Sequence, residues 1–267
     1  MGVIEHEVNS TTELVDFVLK LGQTDDGLRT LWHRGHRSEN YSLVPSLVRK
    51  LTEEEQIFPM ERRLITRFRQ RSLPFWPAGY PQNVWEHLFA MQHFGIPTRM
   101  LDWSESLLVA LYFAATPGTG PVVEDEETPA IWTLDPVKWN RSAAQFKDVE
   151  DAIEILTTDS DDLAAYTPSS SPSEDLVRRY KVPLAIFGTH NSARIVAQRG
   201  AFTVGGRSLE PMDSFVPADG ETLWKIRLEY SRQEMIDDLQ TLGFAESMIF
   251  PDLVGLSKEI TASEGLL

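Results

Sequence analysis

The chain has 267 residues, and 25 Lys and Arg against 40 Asp and Glu leave a formal net charge of −15 at pH 7. At 42% apolar and 24% charged it has the composition of a folded chain large enough to bury a core, which excludes collagenous, low-complexity and wholly disordered readings. Cysteine is absent, which excludes disulfides, thiolate zinc sites and a cysteine nucleophile.

No apolar run approaches the ~18 residues of a membrane span, and residues 1–10 lack a basic region followed by an apolar one, so a soluble, cytoplasmic protein without membrane contact is expected. Strong acidity opposes non-specific binding to nucleic acid. The charge is uneven, however: residues 29–71 hold ten Lys/Arg and five Asp/Glu, whereas residues 124–162 hold twelve acids and three bases. An anionic ligand would be drawn to the first stretch and repelled by the second.

In chain order, Ser10-Thr11-Thr12-Glu13 opens a helix that Gly22 stops, within a helical lead-in over residues 1–28. Residues 30–34 read as a strand closed by Gly35. Residues 53–71 read as a helix interrupted at Pro59, and residues 83–94 as another, ended by Gly95. The bend at residues 96–104 runs into a helix over 107–115 that carries no charge and is therefore buried on most sides. A strand at 130–134 has its turn at Asp135-Pro136. Residues 141–181 are acidic and Ser/Pro-rich and read as an exposed excursion. Strands at 184–187, 202–204 and 223–228 and a helix at 231–242 complete the pattern. Short strands mixed with helices, without βαβ alternation, predict a single α+β domain over residues 1–267. Neither common phosphate-loop motif nor a zinc signature occurs, so no metal site is expected.

Three stretches carry candidate chemistry. In Trp32-His33-Arg34-Gly35 an arginine beside an aromatic on a sheet needs an anionic or planar partner, or else a buried carboxylate as a structural device. Between His93 and Ser104 polar groups lie among apolar ones, so they must pair or receive a ligand. Asp102 or Ser104 is readily explained as the N-cap of the next helix, whereas Thr98 and Arg99 have no equally simple account. In residues 193–202, Arg194 and Gln198 share a face whether the segment is extended or helical. Arg62, Arg63, Arg67, Arg69 and Arg71, with the single aromatic Phe68 among them, read as a solvated helix face rather than a stacking strip for nucleic acid.

The first two stretches, together with Tyr41-Ser42-Leu43-Val44-Pro45-Ser46-Leu47-Val48-Arg49, resemble the FRG domain, a family named for an aromatic-Arg-Gly motif; here His33 stands where Phe or Tyr is usual. Residues 193–204 and 249–256 resemble its later blocks. The motif order is similar to that of ADP-ribosyltransferases, which implies a mixed, mostly antiparallel sheet core with surrounding helices and NAD as substrate. The resemblance implies a catalytic set of Arg34, Thr98, Asp102 and Gln198, and a nucleotide-binding set of Arg34, Gly35, His93, Arg99, Trp103, Tyr112 and Arg194. It further implies transfer of ADP-ribose to a macromolecular acceptor as a toxin or antiviral defence effector, with a neutralising partner protein. Gln198 stands where such enzymes carry a late-strand Glu, which leaves a non-catalytic nucleotide-binding or protein-interaction module as the alternative.

Overall fold

A computed structural model of the chain describes residues 2–25, 27–76, 80–116, 127–143, 155–168, 181–189, 192–217 and 220–266. The strands are β1 (Ile4–Val8), β2 (Gln23–Thr24), β3 (Gly27–Leu28), β4 (Trp32–His36), β5 (Met100–Ser104), β6 (Ala130–Leu134), β7 (Leu184–Ile186), β8 (Gly200–Val204) and β9 (Leu223–Leu228). The helices are α1 (Thr11–Gly22), α2 (Ile57–Ser72), α3 (Val84–His93), α4 (Leu107–Ala115), α5 (Pro136–Ser142), α6 (Ala193–Ala197), α7 (Arg232–Thr241), α8 (Glu246–Ile249) and α9 (Leu253–Ser263). Seven strands form one sheet in the order β1-β9-β6-β4-β5-β8-β7, antiparallel except for the β1–β9 pair, while β2 and β3 form a separate hairpin. This is the expected α+β class with a mixed, mostly antiparallel sheet.

The sheet is two half-sheets joined at a weak seam. β4 pairs with β6 through five residues and β5 with β8 through five, but β4 and β5 share a single pair in register, His33 with Ser104. Each half has its own apolar layer on one face. Val8, Ile131 and Ile226 pack with Leu14 of α1, Leu111 of α4 and Met235 of α7, whereas Met100, Phe202 and Val204 pack with Ile65 of α2 and Leu88 and Phe89 of α3. The opposite face is continuous, with Trp32, Leu101, Trp103, Trp132 and Leu223 buried beside Trp139 of α5.

Several local expectations are met and others corrected. Ser10, Asn83 and Ser231 cap α1, α3 and α7 with their side chains, and Ser231 forms a full capping box with Glu234. The helix expected to break at Pro59 runs unbroken, because proline in the first turn removes an N–H that has no intrahelical partner. The lead-in over residues 1–28 is not wholly helical: β1 precedes α1 and joins the sheet edge. Asp135 does not close a turn but caps α5, accepting from the Lys138 N–H at 2.9 Å. Residues 100–104 are a strand and not a bend, so neither Asp102 nor Ser104 occupies the N-cap of α4; Ser106 does. Of the acidic stretch 141–181, residues 144–154 and 169–180 lie outside the described residues. The described remainder is not wholly an exposed excursion, since Leu163 and Tyr166 are fully buried in the core.

Two contacts fix the seam's surroundings. A Cβ on Gly35 would stand 1.9 Å from the carbonyl oxygen of Ala110, so only glycine lets α4 lie directly on β4. Arg99, wholly buried, donates through Nε to Glu61 of α2 at 2.7 Å, and through Nη1 and Nη2 to the carbonyls of Gly205 and Tyr166, both at 2.5 Å. Glu61 also accepts from the Arg99 backbone N–H at 3.1 Å. The start of β5 is thereby tied to α2, to the loop after β8 and to the turn at Tyr166. Removing Glu61 leaves a buried cation with no counter-charge, so Glu61→Ala is expected to cost about 3–5 kcal/mol. A urea unfolding curve with its midpoint shifted down at unchanged slope checks this, and an unmoved midpoint contradicts it.

Candidate functional site

Beyond His33 and Ser104 the two central strands diverge, and a cleft of about 1020 Å³ opens there. β4 supplies Arg34, Gly35 and His36; β5 supplies Asp102 and Trp103; α3 supplies Gln92 and His93; α4 supplies Tyr112 and Phe113. The remaining walls come from later in the chain, with Arg194 and Gln198 around α6, and Glu246, Phe250, Asp252 and Lys258 from α8 and α9.

Arg34 bridges the divergence. Its Nη1 donates to the Asp102 backbone carbonyl at 2.6 Å, an acceptor on a β5 edge that β4 no longer covers, and lies 4.0 Å from the Asp102 carboxylate. Its Nε donates to His36 Nε2 at 3.1 Å, while His36 Nδ1 lies 3.1 Å from the Tyr41 carbonyl and 3.2 Å from Trp132 Nε1. Burial, and then the neighbouring Arg34 cation, hold the His36 pKa at about 3, which keeps the ring a neutral acceptor. The guanidinium is thus oriented by a carbonyl and an imidazole, and no buried carboxylate neutralises it.

Asp102 projects into the cleft with its side chain 55% exposed. Gln92 Nε2 donates to its Oδ2 at 2.7 Å, and the Gln92 Oε1 accepts from Thr98 Oγ1 at 2.5 Å, which fixes which end of the amide faces Asp102. Thr98 also accepts from the Met100 N–H at 3.1 Å. His93, half-buried beside Phe94, has its pKa lowered by burial and by the Arg194 cation, with Asp102 opposing. Burial and the charge of Glu246 push the Tyr112 phenol up to about 12. Arg194 lies 4.7 Å over the Phe250 ring, and its pKa is lowered chiefly by burial. Trp103 forms part of the floor, donating to Thr203 Oγ1 at 3.0 Å.

The structure brings Arg34, Gly35, His93, Asp102, Trp103, Tyr112, Arg194 and Gln198 to one cleft. Two residues of the expected sets are elsewhere. Thr98 is fully buried and reaches the cleft only through Gln92, so it positions Asp102 and cannot touch a ligand. Arg99 faces away, its guanidinium taken up by Glu61 and two carbonyls, and is removed from the nucleotide-binding set. Gly35 lines the cleft, but what demands glycine there is the approach of α4. Gln198 donates through Nε2 to the Ile249 carbonyl at 3.2 Å, and its own carbonyl accepts from Ser104 Oγ at 2.7 Å, so it joins α8 to the end of β5.

Sequence reasoning did not single out Arg49, Glu246, Phe250 or Lys258. Arg49 and Phe250 lie within the motif blocks quoted above, which was a usable signal. Glu246 lies three residues outside any block, and only the fold brings it to Tyr112 and, at 2.8 Å, to Lys258. Among the described residues no group of three or more His, Asp or Glu is arranged to hold a metal ion, and no helix is long and apolar enough to cross a membrane.

The stretch that builds the seam is a recognisable module. The FRG domain family model matches residues 29–119, which contain β4, α2, α3, β5 and α4, and the resemblance read from the motifs is borne out there. No curated protein and no solved structure matches the chain.

His33, buried and bonded through Nδ1 to Thr133 Oγ1 at 3.0 Å, has its pKa lowered by burial to about 4. Both His33 and His36 therefore bind a proton in the unfolded chain before they do in the folded one. Their contribution to stability is complete above pH 6.5 and is lost as the pH falls from there towards 4 for His33 and 3 for His36. Each costs about 2 kcal/mol between pH 7 and pH 5. Chemical denaturation at those two pH values is expected to show a loss smaller by about that amount in His36→Gln than in the wild type. An identical loss in both proteins would show that His36 takes up its proton at the same pH in the folded and unfolded chain.

Proposed function

We propose that the cleft binds NAD or a related dinucleotide, and that the protein is ADP-ribosyltransferase-like, transferring ADP-ribose to a macromolecular acceptor as a toxin or defence effector. The observation that carries this reading is a cleft lined by five arginine and lysine side chains against three carboxylates, in a chain whose net charge is −15. Such a cleft concentrates anionic ligands against the field of the rest of the molecule. Its walls also hold aromatic rings that keep exposed surface, Phe94, Tyr112 and Phe250 among them, as a ligand with planar bases requires.

The chemistry follows from placing the diphosphate at Arg34. The bond between ribose C1′ and the nicotinamide nitrogen breaks, the electron pair leaves with neutral nicotinamide, and positive charge develops on the sugar. Asp102 is the carboxylate on Arg34's own rim, and Gln92 holds it in one orientation, so it faces that charge without reorganising. An acceptor oxygen or nitrogen then bonds to C1′ and releases its proton to the carboxylate or to water. Fixing the diphosphate supplies the orientation that this displacement needs. One observation favours the second reading, binding without turnover: Gln198, at the late position where the related enzymes carry Glu, spends its amide on the Ile249 carbonyl.

Calorimetric titration with NAD and chromatographic detection of nicotinamide separate the readings. Arg34→Ala is expected to weaken NAD binding by about tenfold or more, as for a lost charged hydrogen bond, and to cost only about 1 kcal/mol of stability, because the Asp102 carbonyl it releases faces the cleft and can be taken up by water. Asp102→Asn should retain binding and lose nicotinamide release. Wild-type binding without release selects the non-catalytic reading, and no binding by the wild type overturns both.

A further inference from the structure

Arg49 is the one cation of the Tyr41–Arg49 motif that reaches the cleft, and nothing above gives it a task. The loop between β4 and Arg49 is held firmly. His36 Nδ1 bonds the Tyr41 carbonyl; the Leu43 N–H donates to Asp213 Oδ1 at 2.8 Å; and the Leu47 N–H donates to the Thr98 carbonyl at 3.0 Å. Arg49 in turn donates through Nε to the Val44 carbonyl at 2.8 Å, which fixes the stem of the side chain and leaves both terminal nitrogens for other partners. No carboxylate lies within ion-pairing distance of it among the described residues, and the carboxylate nearest Arg34 stands at the outer limit of that distance, 4.0 Å.

Two guanidiniums thus share one rim of the cleft, each held by its Nε and neither well neutralised. Their proximity is felt electrostatically. Burial lowers the pKa of Arg34, with Asp102 opposing and the Arg49 charge adding to the lowering, and both cations add to burial in lowering that of His36. Repulsion between like charges held in place is relieved by an anion able to touch both. A single phosphate satisfies one planar fork, whereas two linked phosphoryl groups present a set of oxygens to each of two forks.

We propose that Arg34 and Arg49 are the two arms of a diphosphate receptor, which makes this end of the cleft selective for two linked phosphoryl groups over one. The inference deepens the nucleotide reading and rests on it only for what the diphosphate is attached to. The site therefore takes nucleoside diphosphates and their conjugates in preference to monophosphates, with Arg34 fixed to the seam and Arg49 carried by the loop.

The test uses inorganic pyrophosphate and inorganic phosphate as calorimetric probes at one salt concentration and pH. Pyrophosphate is expected to bind the wild type about tenfold tighter than phosphate, a difference of about 1.4 kcal/mol. In Arg49→Gln, which removes the charge but keeps a donor, pyrophosphate should fall to the affinity of phosphate, with phosphate binding and the melting temperature little changed. Equal affinities in the wild type, or a preference that survives Arg49→Gln, overturn the receptor. NAD binding without the pyrophosphate preference overturns the receptor and leaves the nucleotide reading standing; the preference without NAD binding supports the receptor and overturns that reading.

Discussion

One hydrogen bond defines the working part of this molecule, that from the Arg34 guanidinium to the backbone carbonyl of Asp102 across diverging strands. A sheet that parts between two of its central strands leaves backbone groups without ladder partners, and such groups destabilise a structure unless something else takes them up. Here a side chain does so in place of a neighbouring strand. The same substitution holds a cation at the bottom of a water-accessible gap, where its charge remains available. The gap persists because each flanking half-sheet carries its own helices and its own apolar layer, so closing the ladder would require two packed cores to shift together.

The polar groups around the gap divide between two kinds of work. Arg99 with Glu61 is fully desolvated and saturated, and it holds together elements distant in sequence. Arg34, Asp102 and Arg194 are partly exposed, Arg34 being oriented by His36 and the Asp102 carbonyl, Asp102 by Gln92 and Arg194 by the Phe250 ring. The cleft's character comes from this second group. A chain with an excess of fifteen negative charges lines the place where the ladder is missing with five Lys and Arg against three carboxylates.

Much of the fold was legible because the signals were local. Caps at Ser10, Asn83 and Ser231 and the uncharged run of α4 mark their elements in the letters. β1 was missed because residues 4–8 set only Ile4 and Val8 around Glu5, His6 and Glu7 at a sheet edge, a pattern that reads equally well as a solvated start. Pro59 misled because its effect depends on whether it falls in the first turn or the interior, a matter of two or three residues. Within the cleft, Arg34 and Asp102 were visible as polar groups in costly surroundings, and Arg194 only as sharing a face with Gln198. Arg99 looked the same by that criterion, since a buried structural arginine and a ligand-binding one differ only in whether a carboxylate folds against them, and Glu61 comes 38 residues earlier. Glu246 gave no sign, because nothing near it in the chain hints that it will meet Tyr112.

The far wall of the cleft is attached more lightly than its floor. Residues 246–258 rest on the remainder through buried Ile249, the Gln198 amide, the contacts of Phe250 with Arg194, Tyr112 and Phe113, and that of Glu246 with Tyr112, while Leu253, Val254 and Ile260 remain largely exposed. A guest that touches both this wall and Arg34 adds a tether between them, so by linkage its binding also holds residues 246–258 down. Occupancy of the cavity and the resistance of that tail to amide exchange or proteolytic nicking are consequently two readings of one equilibrium.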